Sequence, residues 1–127
     1  MPVAGVAAQP ISPGRRGPAV VEELDPRTVA QRIRETPERL VLLDVREPFE
    51  RAMAKIEPSV HIPMREVAGR LAEIPLDREV VVYCHSGSRS MMVAAFLAGR
   101  GYPSVANLAG GIDAWSVRVD PKVPRYG

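Results

Sequence analysis

The sequence holds a single cysteine, Cys84, in 127 residues. No internal disulfide can form, and a zinc site would have to be assembled without the usual cysteine sets. Long apolar runs are also missing. No stretch approaches the roughly 18 residues that a membrane span needs. The start, Met1 to Ala8, is mildly apolar, but no positive charge precedes it and Pro10 ends it. It fits a flexible leader better than a secretory signal. Neither charge sign is in large excess: 17 basic against 15 acidic residues leave a formal charge of +2, and the fifteen arginines are scattered. That pattern gives no basis for nucleic-acid binding, and no internal repeat is visible. A lone thiol suits a reducing, cytoplasmic setting.

What remains is an ordinary globular balance, 46% hydrophobic and 25% charged, in a length that holds one domain. Residues 1 to 18 carry four prolines and three glycines without periodicity and read as a flexible leader. Order is expected from Ala19, with the domain running from 19 to 118 and a tail from 119 to 127. Val20 and Val21 suggest a short strand. Asp25 followed by Pro26 is an N-cap and a first-turn proline, and Val29, Ala30 and Ile33 give the following helix an apolar face that ends near Pro37. Leu40 to Leu43 and Val80 to Tyr83 are continuous apolar runs, the mark of strands covered on both faces. Glu47 to Ala52 suggests a short helix and Val60 to Ile62 a brief strand. Val67, Leu71 and Ile74 recur at helical spacing. A helix is expected from Arg89 to Gly99 with Met92, Val93, Phe96 and Leu97 on its apolar side. Val105 to Leu108 is a further strand, and Ile112 to Val117 a last helix. Strands alternating with helices imply an α/β fold: a mostly parallel sheet of about five strands with helices on both faces.

Such sheets place their sites at the carboxyl ends of the strands, and the lone thiol falls there. Val80-Val81-Val82-Tyr83 runs into Cys84-His85-Ser86-Gly87-Ser88-Arg89, and a helix begins. A buried structural cysteine is one reading of that position. The polar, glycine-bearing loop favours another, in which inward N–H groups and a helix N-terminus stabilise a thiolate. Gly87 permits a backbone that other residues resist. Arg89 would add a cation and a planar fork.

Four segments together resemble the rhodanese family. Leu43-Asp44-Val45-Arg46-Glu47 is similar to its first signature, and Ile56 through Ile62-Pro63 to the segment written G-H-I-x-G-A-x-x-I-P. Cys84 to Ser90 is similar to the active-site loop, and Leu108-Ala109-Gly110-Gly111-Ile112-Asp113-Ala114-Trp115 to the closing L-x-G-G-x-x-A-W. They occur in order and span nearly all of residues 20 to 118. The ending Asp120-Pro121-Lys122-Val123-Pro124 resembles tails of some single-domain and fused bacterial members. The second segment departs from the family: Ala54-Lys55 stands for Gly-His and Pro58-Ser59 for Gly-Ala, so its turn must be built differently.

The resemblance implies a sulfurtransferase without metal or organic cofactor. Cys84 would take a sulfane sulfur from thiosulfate or a persulfide and pass it to an acceptor, cyanide in the assay and a thiol in the cell. Its partners would be a small-molecule sulfur donor and a thiol or protein acceptor, with no nucleic acid and no membrane. His85, Ser86, Gly87, Ser88 and Arg89 would hold the substrate sulfur and the sulfonate, and Asp44 and Arg46 would support neighbouring loops. Two other readings stay open here. Arsenate reductases and phosphatases of related fold use a longer Cys-x5-Arg loop, against four intervening residues here. The other is a non-catalytic sulfur-carrier or interaction module; many domains of this fold have lost the cysteine, whereas this sequence keeps Cys84 and Arg89, and partner binding by an interaction module would survive loss of the Cys84 thiol. His85 reads as a rim residue, His61 as structural, Met91 and Met92 as core or pocket wall, and Trp115 as packing under the sheet edge.

Overall fold

A computed structural model describes residues 21 to 127. The expected leader, the start of order at Ala19 and the residue Val20 lie outside the described residues. Five strands form one sheet: β1 (Glu22–Leu24), β2 (Leu40–Asp44), β3 (Val60–His61), β4 (Glu79–Tyr83) and β5 (Val105–Leu108), in the order β1-β5-β4-β2-β3. Every pairing is parallel, so the expected mostly parallel sheet is wholly parallel among the described residues. Four helices accompany it: α1 (Pro26–Glu35), α2 (Pro48–Met53), α3 (Ser88–Gly99) and α4 (Gly111–Arg118).

The apolar runs of β2, β4 and β5 alternate between two cores. Val81, Tyr83, Leu40, Leu42, Ala106 and Leu108 face α1 and α4 through Val29, Ala30, Ile112 and Trp115. Val80, Val82, Leu43 and Val105 face α3 through Val93, Ala94 and Leu97. Burying each such side chain stabilises the fold by roughly 1.5–3 kcal/mol. α1 starts where its sequence says it should: the Asp25 carboxylate accepts from the Arg27 N–H at 2.9 Å, and Pro26 opens the first turn.

Several elements differ from the sequence expectation. Among the described residues Val21 lies just before the first strand, Glu22–Leu24. As an edge strand beside β5 it has only Leu24 buried, so no apolar run marks it. Val67 and Leu71 sit in two short 3-10 stretches, Met64–Gly69 and Leu71–Glu73, and Ile74 is the extended residue after the second, so the three do not share one α-helix. On α3, Met92 points outward at 62% exposure and Phe96 is also exposed, while Ser90, Val93, Ala94 and Leu97 turn inward. A helix this apolar does not announce its buried face, and the small Ser90 and Ala94 let it lie close to the sheet. In the departing second segment, the Glu57–Pro58 bond is cis. The Ser59 hydroxyl donates to the Ile56 carbonyl at 2.6 Å, and Arg51 donates to the Ser59 hydroxyl and carbonyl at 3.0 and 3.1 Å. The turn is thus tied by side chains.

Strand order positions the site. From β2 the chain passes to β3 on one side; from β4 it passes to β5 on the other. The loops after β2 and β4 therefore diverge and leave a crevice at the carboxyl ends of two adjacent strands. Asp44 and Tyr83 end those strands in register, and Cys84 follows directly.

Candidate active site

The Cys84 loop is shaped from below by α4. Its carbonyls are drawn outward: Ile112 N–H donates to the Cys84 carbonyl at 2.9 Å and Asp113 N–H to the His85 carbonyl at 3.1 Å. With carbonyls facing α4, the N–H groups that follow turn toward the sulfur. Gly87 N–H donates to Cys84 Sγ at 3.1 Å, Ser90 N–H at 3.3 Å, and the Ser90 hydroxyl lies at 3.2 Å. Two glycines make this possible. Gly87 adopts φ +113° as it enters α3, a left-handed conformation that L side chains resist. Gly111 adopts φ +62°, and a Cβ there would lie 2.5 Å from the Cys84 carbonyl oxygen.

Cys84 is 1% exposed. Burial pushes its pKa up, but the Ser90 hydroxyl and N–H, with the Gly87 and Ser86 N–H groups, outweigh that and leave it below the ordinary thiol value. The electrostatic advantage expected of the loop is therefore present. The Ser90 hydroxyl also lies 2.5 Å from Asn107 Oδ1. It carries one proton, so it can donate to the sulfur or to Asn107 at any moment. A thiolate draws that proton toward itself; a neutral thiol leaves it to Asn107. Asn107 in turn anchors the loop by donating to the Gly87 carbonyl at 3.1 Å.

Beside the loop lies a buried ionic network. Asp44 and Arg46 form a two-pronged pair, Nε to Oδ1 at 2.9 Å and Nη2 to Oδ2 at 2.8 Å, with both side chains fully buried. Burial pushes the Asp44 carboxyl up, yet the Arg46 bonds and charge hold it below its usual value. Arg46 also donates to the Ala54 carbonyl at 2.7 Å, and its own carbonyl faces His61 Nε2 at 2.8 Å. This pair ties the β2 loop to the end of α2 through the Ala54 carbonyl and to β3 through His61.

Arg89 is the tip of a second pair. Its Nη1 and Nη2 donate to Glu50 Oε1 and Oε2 at 2.7 and 2.9 Å. Glu50 is buried on α2, and the Arg89 fork, working against burial, brings its pKa down to about 2. The sequence marks Arg89 as a cation of the loop and gives no sign of this partner 39 positions away. Nor does it point to Tyr126. The tail after α4 folds back, with the Ser116 hydroxyl donating to the Val123 carbonyl at 2.6 Å and Arg125 pairing with Asp113 at 2.8 Å. The Tyr126 phenol accepts from Arg46 Nη1 at 2.8 Å and donates to Glu50 Oε2 at 2.9 Å. Its ring lies 4.5 Å from that of His85, whose Nε2 is 2.8 Å from the Tyr126 carbonyl. His85 is therefore a rim residue covered by the tail.

The structure thus brings together Cys84, Gly87 and Arg89 from the expected loop. It adds Ser90, Asn107, Glu50 and Tyr126. The capping box at the start of α2, with Glu50 as its third residue, was the one sequence signal near Glu50, and it says nothing of Arg89. Among the described residues no group of three or more His, Cys, Asp or Glu could hold a metal ion, and no helix is long and apolar enough to cross a membrane.

Residues 25–118 match the model of the rhodanese-like domain. Over 97 residues the chain is 43% identical to a sulfurtransferase of Allochromatium vinosum, covering 76% of this chain and 90% of that protein. Over 86 residues it is 37% identical to the thiosulfate sulfurtransferase GlpE of Pseudomonas syringae, covering 68% and 79%. Among solved structures, a rhodanese-related protein from Thermoplasma volcanium superposes with a TM-score of 0.72 at 28% identity, covering 83% of this chain and 99% of that one.

Proposed function

This chain belongs to the rhodanese-like domain family, and from that premise we propose that it is a sulfurtransferase carrying a sulfane sulfur on Cys84 as a persulfide. The observation that carries the reading is the cradle around Cys84 Sγ, made of the Gly87 and Ser90 N–H groups and the Ser90 hydroxyl. Donors aimed at one buried sulfur stabilise a thiolate before transfer and a persulfide anion after it.

The reaction has two half-steps. The Cys84 thiolate attacks the outer sulfur of a donor, a new S–S bond forms, and the donor's own bond to that sulfur breaks. Thiosulfate leaves as sulfite; a thiol persulfide leaves as a thiolate. An acceptor's lone pair then bonds to the outer sulfur, the S–S bond to Cys84 breaks, and the electron pair of that bond stays with Cys84 as thiolate. Cyanide would leave as thiocyanate, and an acceptor thiol as its persulfide. The loop segment His85 to Ser88 surrounds the transferred sulfur, and Arg89 faces the donor's leaving group. Asp44 and Arg46 hold the adjoining loop in register. No step calls on a metal or organic cofactor. A thiol working this way suits a reducing, cytoplasmic compartment, with a low-molecular-weight or protein thiol as acceptor.

The short Cys-x4-Arg loop favours this chemistry over oxyanion hydrolysis or reduction. Sγ is enclosed within hydrogen-bonding distance of its donors, which suits one added sulfur atom. The test is intact mass. After incubation with thiosulfate or a thiol persulfide, the protein should gain one sulfur atom and lose it when a reducing thiol is added, and Cys84→Ser should gain none. Absence of the gain with both donors, beside measurable phosphate-ester hydrolysis or arsenate reduction, would overturn it.

A further inference from the structure

We propose that Glu50, held by Tyr126 from the C-terminal segment, selects the sulfur donor: by offsetting the charge of Arg89 it favours thiol persulfides over dianionic thiosulfate. The proposal deepens the sulfurtransferase reading and rests on it.

The argument begins with the charge around Cys84. Arg89 is the cation that the loop brings close enough for its charge to couple to the sulfur. Both of its terminal nitrogens are spent on Glu50, at 2.7 and 2.9 Å. A guanidinium closed on a carboxylate in this way presents a dipole to its surroundings in place of a full positive charge. Arg46, the next cation, is closed on Asp44 in the same manner. Arg51 donates to the same Asp44 carboxylate at 3.0 Å and to the Ser59 hydroxyl at 3.0 Å. Arg89 is thus matched by Glu50 alone, while Arg46 and Arg51 share Asp44.

Glu50 is also prevented from swinging away. It is 5% exposed. Its Oε1 accepts the Glu47 N–H at 3.0 Å, and its Oε2 accepts the Tyr126 phenol at 2.9 Å. That phenol is fixed from its other side by Arg46 at 2.8 Å. Tyr126 is therefore a positioning residue: it joins the two ion pairs and keeps the Glu50 carboxylate turned to Arg89.

Donor chemistry supplies the consequence. Attack of a thiolate on thiosulfate gathers three negative charges, and sulfite departs with two of them. Attack on a thiol persulfide gathers one charge or two. The loop N–H groups donate to Cys84 Sγ, which attacks either donor in the same way, and so discriminate little. The difference is decided by the positive charge that Arg89 turns to the leaving group, and Glu50 offsets it.

The experiment compares the full-length protein with Glu50→Gln and Tyr126→Phe. Glutamine keeps the carbonyl that accepts the Glu47 N–H, so the start of α2 is retained. Phenylalanine keeps the ring against His85. Sulfur loading of Cys84 is followed by intact mass with thiosulfate and with glutathione persulfide. The unaltered protein should load faster from the persulfide. Glu50→Gln should raise the rate with thiosulfate relative to persulfide by about tenfold, and Tyr126→Phe should move it less in the same direction. A merely structural role would slow both donors alike. A second readout needs no sulfur transfer: the ratio of Cys84 alkylation by iodoacetate to that by neutral iodoacetamide. The thiolate fraction cancels in that ratio, which should rise in both variants. If Glu50→Gln does not fold, Tyr126→Phe carries both measurements. Loading with an unchanged donor ratio and an unchanged alkylation ratio overturns the proposal while the sulfurtransferase reading stands. No loading from either donor overturns donor selection together with that reading, and the alkylation ratio alone then decides whether Glu50 masks Arg89.

Discussion

The Cβ position of Gly111 lies 2.4 Å from the carbonyl oxygen of His85. The first residue of α4 thus presses against the backbone of the thiol loop, 26 residues earlier in the chain. This contact turns the loop carbonyls toward the α4 N–H groups and the loop N–H groups toward the sulfur. Gly111→Ala should therefore fail twice. Its φ of +62° resists a side chain, and the methyl group would displace the loop. We expect a loss of about 3 kcal/mol in urea unfolding, and a Cys84 that titrates higher in an alkylation-against-pH profile. A variant as stable as the parent, with an unmoved profile, would remove Gly111 from this account.

Ser90 is the loop residue whose hydroxyl does most to lower the Cys84 pKa. Ser90→Ala keeps the backbone N–H but deletes that donor. The midpoint of iodoacetamide alkylation against pH should move upward, and sulfur transfer near neutral pH should slow with it. Raising the pH should restore part of the rate in the variant. A rate deficit that pH leaves unchanged would point to lost packing.

Asp44 and Arg46 are both fully buried. Asp44→Ala leaves the Arg46 charge without its partner in the interior, and should destabilise the fold by about 3–5 kcal/mol. Replacing the pair together, Asp44→Ala with Arg46→Met, should cost less than the single change, because the one charge still left without Asp44, that of Arg51, is partly exposed to solvent. Chemical denaturation of the three proteins tests this. Equal losses in the single and double variants would show that the network acts through its hydrogen bonds to Ala54 and Tyr126.

Glu50 makes the fold sensitive to acid. Its pKa falls from 4.5 to about 2 on folding, chiefly through Arg89. A carboxylate with a lowered folded pKa stabilises the native state above its unfolded pKa, and that contribution is lost as pH falls through the folded value. Glu50 should thus contribute on the order of 3 kcal/mol near neutral pH, disappearing between about pH 4.5 and pH 2. The stability difference between the parent and Glu50→Gln should shrink across that window. A difference that is flat in pH would mean that the ion pair contributes through packing alone.

The sequence by itself determined the features that are local in the chain. β2 and β4 are buried on both faces, so they read as continuous apolar runs, and β5 reads as a strand although Asn107 interrupts its apolar residues. Asp25-Pro26 starts α1 with its own backbone chemistry. Cys84 lies on a loop because a β-branched run gives way to small polar residues and glycine. The four family-like segments lie along the same stretch. Tertiary structure decided what depends on distant partners. The edge strand Glu22–Leu24 is a strand because β5 supplies its hydrogen bonds, and its own composition gives no sign of that. The buried face of α3 was settled by the sheet beneath it, since Met92 and Phe96 are as apolar as Val93 and Leu97. Glu50 meets Arg89 across 39 positions and Tyr126 across 76, and Ser90 meets Asn107 across 17. An ion pair needs charge and proximity. The sequence displays the first at every arginine and glutamate, and only the folded chain supplies the second.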